Sequence, residues 1–167
     1  MDFSGIASGE SLDAVVEDWK PVNFKTNNPQ DLALLRLKNT EKIPTDAKPV
    51  TLVNTQDIYG NRFQAYGFSR NTGAWADGEI KGKVSYGKFQ IEATTVTGYA
   101  LDGGFSGTAI WDDNLQGVIG IAVMADKKQM DAKAAFFMPT EMLLKAFPKL
   151  WEIANINGYL PEIISLL

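Results

Sequence analysis

From Arg62 to Met138 the chain is built of short β-rich runs set off by glycine-bearing turns, and this pattern constrains the fold most. Arg62-Phe63-Gln64-Ala65-Tyr66-Gly67-Phe68 is one run, and Trp75 to Val84 is another. Lys88 to Val96 alternates apolar and polar residues as a half-buried strand does. Thr108 to Asp112 and Gln116 to Met124 come next, joined by an Asp113-Asn114 turn, and Ala134 to Met138 closes the series. Many short strands with such turns predict an all-β sandwich or barrel.

The flanks differ. Ala14 to Trp19 reads as a strand ended by Pro21. Asp31-Leu32-Ala33-Leu34-Leu35-Arg36-Leu37 is apolar enough for a strand buried on both faces, although a turn of helix has the same composition. Pro44 and Pro49 interrupt the segment after Leu37, so an irregular crossover is expected there, with the boundary between two halves near residues 44–49. At the other end, Thr140 reads as the N-cap of a helix over Glu141 to Phe147. Leu150 to Ile156 and Pro161 to Leu167 read as further helical pieces, a C-terminal helical extension over residues 149–167.

Composition removes several function classes. With 167 residues the chain is expected to form one domain. The net charge of −4 and the lack of any Lys/Arg cluster argue against a nucleic-acid surface. There are no cysteines and no histidines, so no disulfide, thiolate metal site or imidazole ligand is available, and neither a metal nor a cofactor is expected. No apolar run reaches the roughly 20 residues of a membrane-spanning helix. The start, Met1-Asp2-Phe3-Ser4-Gly5, does not read as a signal peptide, and a cytoplasmic location fits these features.

Gly103-Gly104-Phe105-Ser106-Gly107-Thr108-Ala109-Ile110-Trp111-Asp112 is the stretch that carries chemistry. Glycines beside a serine allow a sharp turn and bring backbone N–H groups close to a substrate carbonyl. Gly104-Phe105-Ser106-Gly107 also suits a glycine-rich hairpin with an incidental serine. Asp112-Asp113 is a carboxylate pair, better read as part of a hairpin turn than as a glycosidase or metal site.

Read with Asp31 to Leu37, Tyr66-Gly67-Phe68, Gly73 to Gly78 and Gly117 to Val123, this stretch resembles the trypsin-like serine peptidases. The likeness is to bacterial members with Gly-Phe-Ser-Gly at the nucleophile, and it covers nearly all of residues 2–148. The resemblance implies a two-barrel chymotrypsin-like fold, with its first barrel incomplete here, followed by C-terminal helices. It implies Ser106 as nucleophile and the N–H groups of Gly104 and Ser106 as the oxyanion hole. Asp31 is implied as the carboxylate that orients the general base. Gly120 to Ala125 would be the edge on which an extended polypeptide substrate pairs, with Val123, Met124 and Ala125 in contact with it. Ala100, Leu101 and Asp102 would line or adjoin the specificity pocket.

Two departures stand out. Phe105 occupies the place where many relatives have an aspartate that captures a new N-terminus, so that activation is not expected. The triad also needs a histidine, and the sequence has none. In the chymotrypsin arrangement histidine precedes aspartate by about 45 residues, which from Asp31 falls before Met1. Two expectations result: a piece of a serine endopeptidase domain whose histidine lies upstream, or a pseudopeptidase that binds peptides or partners. Either way an exposed first half predicts self-association or docking of a flanking segment.

Overall fold

The structure is a computed structural model and describes residues 2–3, 7–21, 31–69, 72–94, 101, 103–125, 134–153 and 155–157. The chain divides into two units, Met1–Pro49 and Val50–Leu167.

The first unit contains two antiparallel ladders. One joins β1 (Asp2–Phe3) to β2 (Ala7–Ser11), and the other joins β3 (Ala14–Lys20) to β4 (Leu32–Leu37). The register pairs Val16 with Leu35 and Trp19 with Ala33, so these four share one face of the ribbon. Val16, Trp19 and Leu35 are 62%, 60% and 52% exposed, and this corrects the expectation that β4 is buried on both faces. Only Leu32 is fully buried there. The reason is that β4 has a single neighbouring strand among the described residues, and a two-stranded ribbon has no second layer of its own to cover both faces. After β4 the chain is irregular, with a 3-10 turn at Thr40–Lys42 and a turn in which the Ala47 N–H donates to the Pro44 carbonyl.

The second unit is a barrel. Its strands are β5 (Thr51–Val53), β6 (Arg62–Ser69), β7 (Thr72–Lys83), β8 (Phe89–Ala93), β9 (Ala109–Asp112), β10 (Gly117–Ala125) and β11 (Ala134–Pro139). In the ring order β6-β7-β8-β11-β10-β9, each of six strands pairs antiparallel with the next and β9 returns to β6. The two-residue period of the sequence now has a cause. Phe63 and Ala65 of β6, Ala74, Ala76 and Ile80 of β7, and Ile91 of β8 alternate into the interior. Phe137 of β11 stacks on Phe89 of β8, their ring centroids 5.3 Å apart. At Gly120 a Cβ would collide with the Met138 carbonyl and come within 2.7 Å of the Phe137 ring, so only glycine lets β10 and β11 approach this closely.

Past the ring, α1 (Thr140–Ala146) and α2 (Leu150–Ile153) are the two short helices of the C-terminal region. Two expectations need correction here. Thr140 is not an N-cap. It is the first helical residue, after Pro139, and its buried hydroxyl donates to the Val118 carbonyl at 3.2 Å instead. The helix start is tied down by Glu141, whose carboxylate accepts from the N–H and hydroxyl of Thr55. Thr140→Val should therefore lower stability by about 1 kcal/mol, the net worth of one hydrogen bond, with far-UV circular dichroism unchanged. A loss of helix signal would restore the capping role.

The second correction concerns residues 155–157. Asn155–Asn157 forms β12, a strand parallel to β5 with Ile156 opposite Leu52, where a helix was expected. Asparagine is a poor helix former, and the edge of β5 offers a ladder that local composition does not reveal. Pro161 to Leu167 lies outside the described residues.

Candidate active site

The loop around Ser106 is fixed from below and from behind. Gly103–Phe105 makes one 3-10 turn, and Phe105 is wholly buried in the core of the barrel. Its ring lies over Gly67 of β6, so close that a Cβ at Gly67 would stand 2.5 Å from the ring edge. Ser106 comes next and is exposed. Gly107 then takes a φ of +82° with open space around its Cα, so glycine is needed for conformation rather than for room. The Gly107 N–H donates to the Ala122 carbonyl at 2.7 Å, and the Ala122 N–H donates to the Thr108 carbonyl at 2.8 Å. Ser106 is thus held between a buried aromatic ring and a backbone clasp on β10.

The same clasp marks where β10 opens. Its pairing with β9 ends at Ile121, opposite Ala109. Beyond the clasp, among the described residues, no strand pairs with Val123 to Ala125 on that side, while β11 covers the other side as far as Ala125. An unpaired stretch of strand therefore starts beside Ser106, offering backbone N–H and C=O groups to an extended chain. Val123 is half-buried, and Met124 and Ala125 are placed within β10.

Gly104 is exposed in the 3-10 turn and Leu101 is buried. Ala100 and Asp102 lie outside the described residues. Asp31 is exposed immediately before β4 and belongs to the first unit, whereas Ser106 belongs to the second.

Asp112 and Asp113 are spent on structure. Asp112 is wholly buried, and its carboxylate accepts from the N–H groups of Asn114 and Leu115 at 2.8 and 2.9 Å. Its other oxygen accepts from the Asn61 side chain at 2.9 Å, and Asp113 accepts from the Gln64 amide. Among the described residues no group of three or more Asp and Glu side chains could hold a metal ion, and no helix is long and apolar enough to cross a membrane.

A feature that sequence reasoning misses lies on the outside of the barrel. Tyr66 packs against Phe68 and Trp75, with ring centroids 5.8 and 5.2 Å apart. With Trp111, Thr108 and Ala109, Tyr66 and Trp75 border an apolar groove of about 350 Å³. The aromatic residues are visible in the sequence, but their assembly needs the pairing of β6 with β7 and β9.

No protein-family model matches the sequence, and no curated protein matches it. Among solved structures the chain is similar to Rv3671c from M. tuberculosis H37Rv, crystallised as a serine-to-alanine mutant in an inactive form. The TM-score is 0.59 with 18% sequence identity, over 87% of this chain and 68% of that one. At that identity the likeness is one of architecture, and with the closed six-stranded ring it establishes that this chain has a chymotrypsin-like, all-β fold.

Proposed function

We propose that this chain is a domain of a trypsin-like serine endopeptidase, with Ser106 the nucleophile that forms the acyl-enzyme. The observation that carries the reading is the exposed Ser106 beside the open edge of β10. A polypeptide laid along Val123 to Ala125 would bring its carbonyl toward the serine, with the N–H groups of Gly104 and Ser106 assigned to the oxyanion. Asp31 is assigned to orient the base. The structural neighbour, whose inactive form carries a serine replaced by alanine, supports the reading by its fold.

The 167 residues contain no histidine, so the imidazole that would take the Ser106 proton has to come from outside them. That same fact favours a second reading, in which the open edge binds peptides without cleaving them. A fluorophosphonate probe separates the two. The 167-residue chain alone should label slowly or not at all. Extending it at the N-terminus with its own upstream coding sequence should raise labelling by about 10²–10⁴-fold if that sequence supplies the base. Ser106→Ala should then abolish the label. No gain on extension would leave the peptide-binding reading. Rapid labelling of Ser106 in the unextended chain would overturn both and point to a base inside the chain, such as a lysine.

A further inference from the structure

One side of β10 is a lane with two occupants. From Gly117 to Ile121 the lane is filled by β9, and beyond the clasp at Ala122 no strand fills it among the described residues. A polypeptide paired with Val123 to Ala125 therefore runs end-on into the chain at Thr108 and Ala109. The Thr108 carbonyl already accepts from the Ala122 N–H, and Ala109 is already paired with Ile121. Past Ser106 the polypeptide has to leave the sheet.

The inner face is closed to it, because Phe105 and Ile110 are wholly buried in the core there. On the outer face Ala109 is exposed, and Trp111 follows on the same side after one strand period. Thr108, Ala109 and Trp111, with Tyr66 and Trp75, border the apolar groove of about 350 Å³. The groove thus opens within two or three residues of Ser106. Among the described residues no charged side chain lines it, and the Gln64 amide at its border is already bonded to Asp113. Trp75 and Val50 are still 63% and 44% exposed, which leaves apolar surface for a ligand to cover.

We infer that this groove is a specificity subsite for one large apolar side chain of the polypeptide, on the far side of Ser106 from the part paired with β10. The inference rests on the proposed binding of a polypeptide at Ser106 and the open edge. It makes Tyr66, Trp75 and Trp111 specificity-determining residues. Their rings offer faces and edges against which an aromatic or branched side chain packs.

The test reads binding by the full 167-residue chain, since that chain has no histidine. Fluorescein-labelled, end-blocked octapeptide pools are randomised except at one position, which holds Phe or Ala, and are compared by anisotropy. Phe should tighten binding by about 10- to 100-fold at one position, the effect of burying a large apolar side chain. N-methylation of single peptide bonds marks the residues that pair with β10, and the Phe position should lie outside them. Trp75→Ser should remove the Phe gain, and Trp75→Phe should keep it. Ala109→Glu, at an exposed position on the groove border, should remove it as well. A Phe gain that is missing, or that survives both Trp75→Ser and Ala109→Glu, overturns the subsite while peptide binding itself stands. No binding by any pool overturns the subsite together with the reading it rests on. Dimerisation abolished by Trp75→Ser would give the groove to a second copy and overturn it too.

Discussion

Phe105→Ala should lower the unfolding free energy of the barrel by about 3–5 kcal/mol, the range for emptying a buried phenylalanine site. The ring is completely buried and sits in the same core cluster as Phe63, Ile110 and Phe137. It also anchors the turn that presents Ser106, so the variant should lose order at the loop before the barrel melts. Hydrogen exchange of the Gly107 amide reports this directly, because that N–H is clasped to the Ala122 carbonyl. Gly67→Ala attacks the same contact from the opposite side. Its new methyl would stand 2.5–2.9 Å from three atoms of the ring and should cost about 1–3 kcal/mol by overpacking. Once Phe105 is alanine that clash is gone. The double variant should therefore be much more stable than the sum of the two losses predicts. Additive losses in urea unfolding would show that the ring and Gly67 do not meet in solution.

Asp112→Ala should cost about 1–3 kcal/mol, because it removes a wholly buried carboxylate and leaves three donors at an exposed turn without their acceptor. They are the N–H groups of Asn114 and Leu115 and the side-chain amide of Asn61. The asparagine variant discriminates between loss of shape and loss of acceptors. It can still accept from the two backbone groups, but its own NH₂ faces the Asn61 amide, so an intermediate loss is expected. Asp113→Ala is the control. Among the described residues its carboxylate accepts only from the exposed Gln64 side chain, and a change within about 0.5 kcal/mol is expected. An Asp112→Ala variant as stable as this control would mean that the turn is held by its backbone alone.

The barrel is legible in the sequence because its strands obey the two-residue period over and over. Phe63 and Ala65, Ala74 and Ala76, and Phe89 and Ile91 all announce an inward face before any partner is known. The tight turn at Ser106 is legible too, since glycines flanking a serine are a local signal. Other features depend on partners distant in sequence. The hydroxyl of Thr140 suits a cap equally well, and only the closed sheet brings the Val118 carbonyl to it. Leu35 and Val16 look like core residues, yet their exposure depends on which strands lie beside β4. The burial of Lys88, only 7% exposed, gives no signal either, because a lysine at the parity of Gln90 and Glu92 normally faces solvent. The open stretch of β10 is expected from the family likeness, but where it begins is set by the clasp at Ala122.

The parallel pair of β12 and β5 has a kinetic consequence. Asn155 meets Thr51 roughly 100 residues back along the chain, whereas Ser69 of β6 pairs with Thr72 of β7 only a few residues on, so the first closure carries a far larger loop entropy. Refolding should therefore finish with β12. The hairpins of the ring can close from neighbouring segments, while β12 has to wait until β10 has given β5 its parallel partner at Val118 and Leu52. In native-state exchange the order reverses, and the amides of Asn155 to Asn157 should open at lower free energy than those of β6 and β7. The strand at Asn155–Asn157 is then the last one on and the first one off.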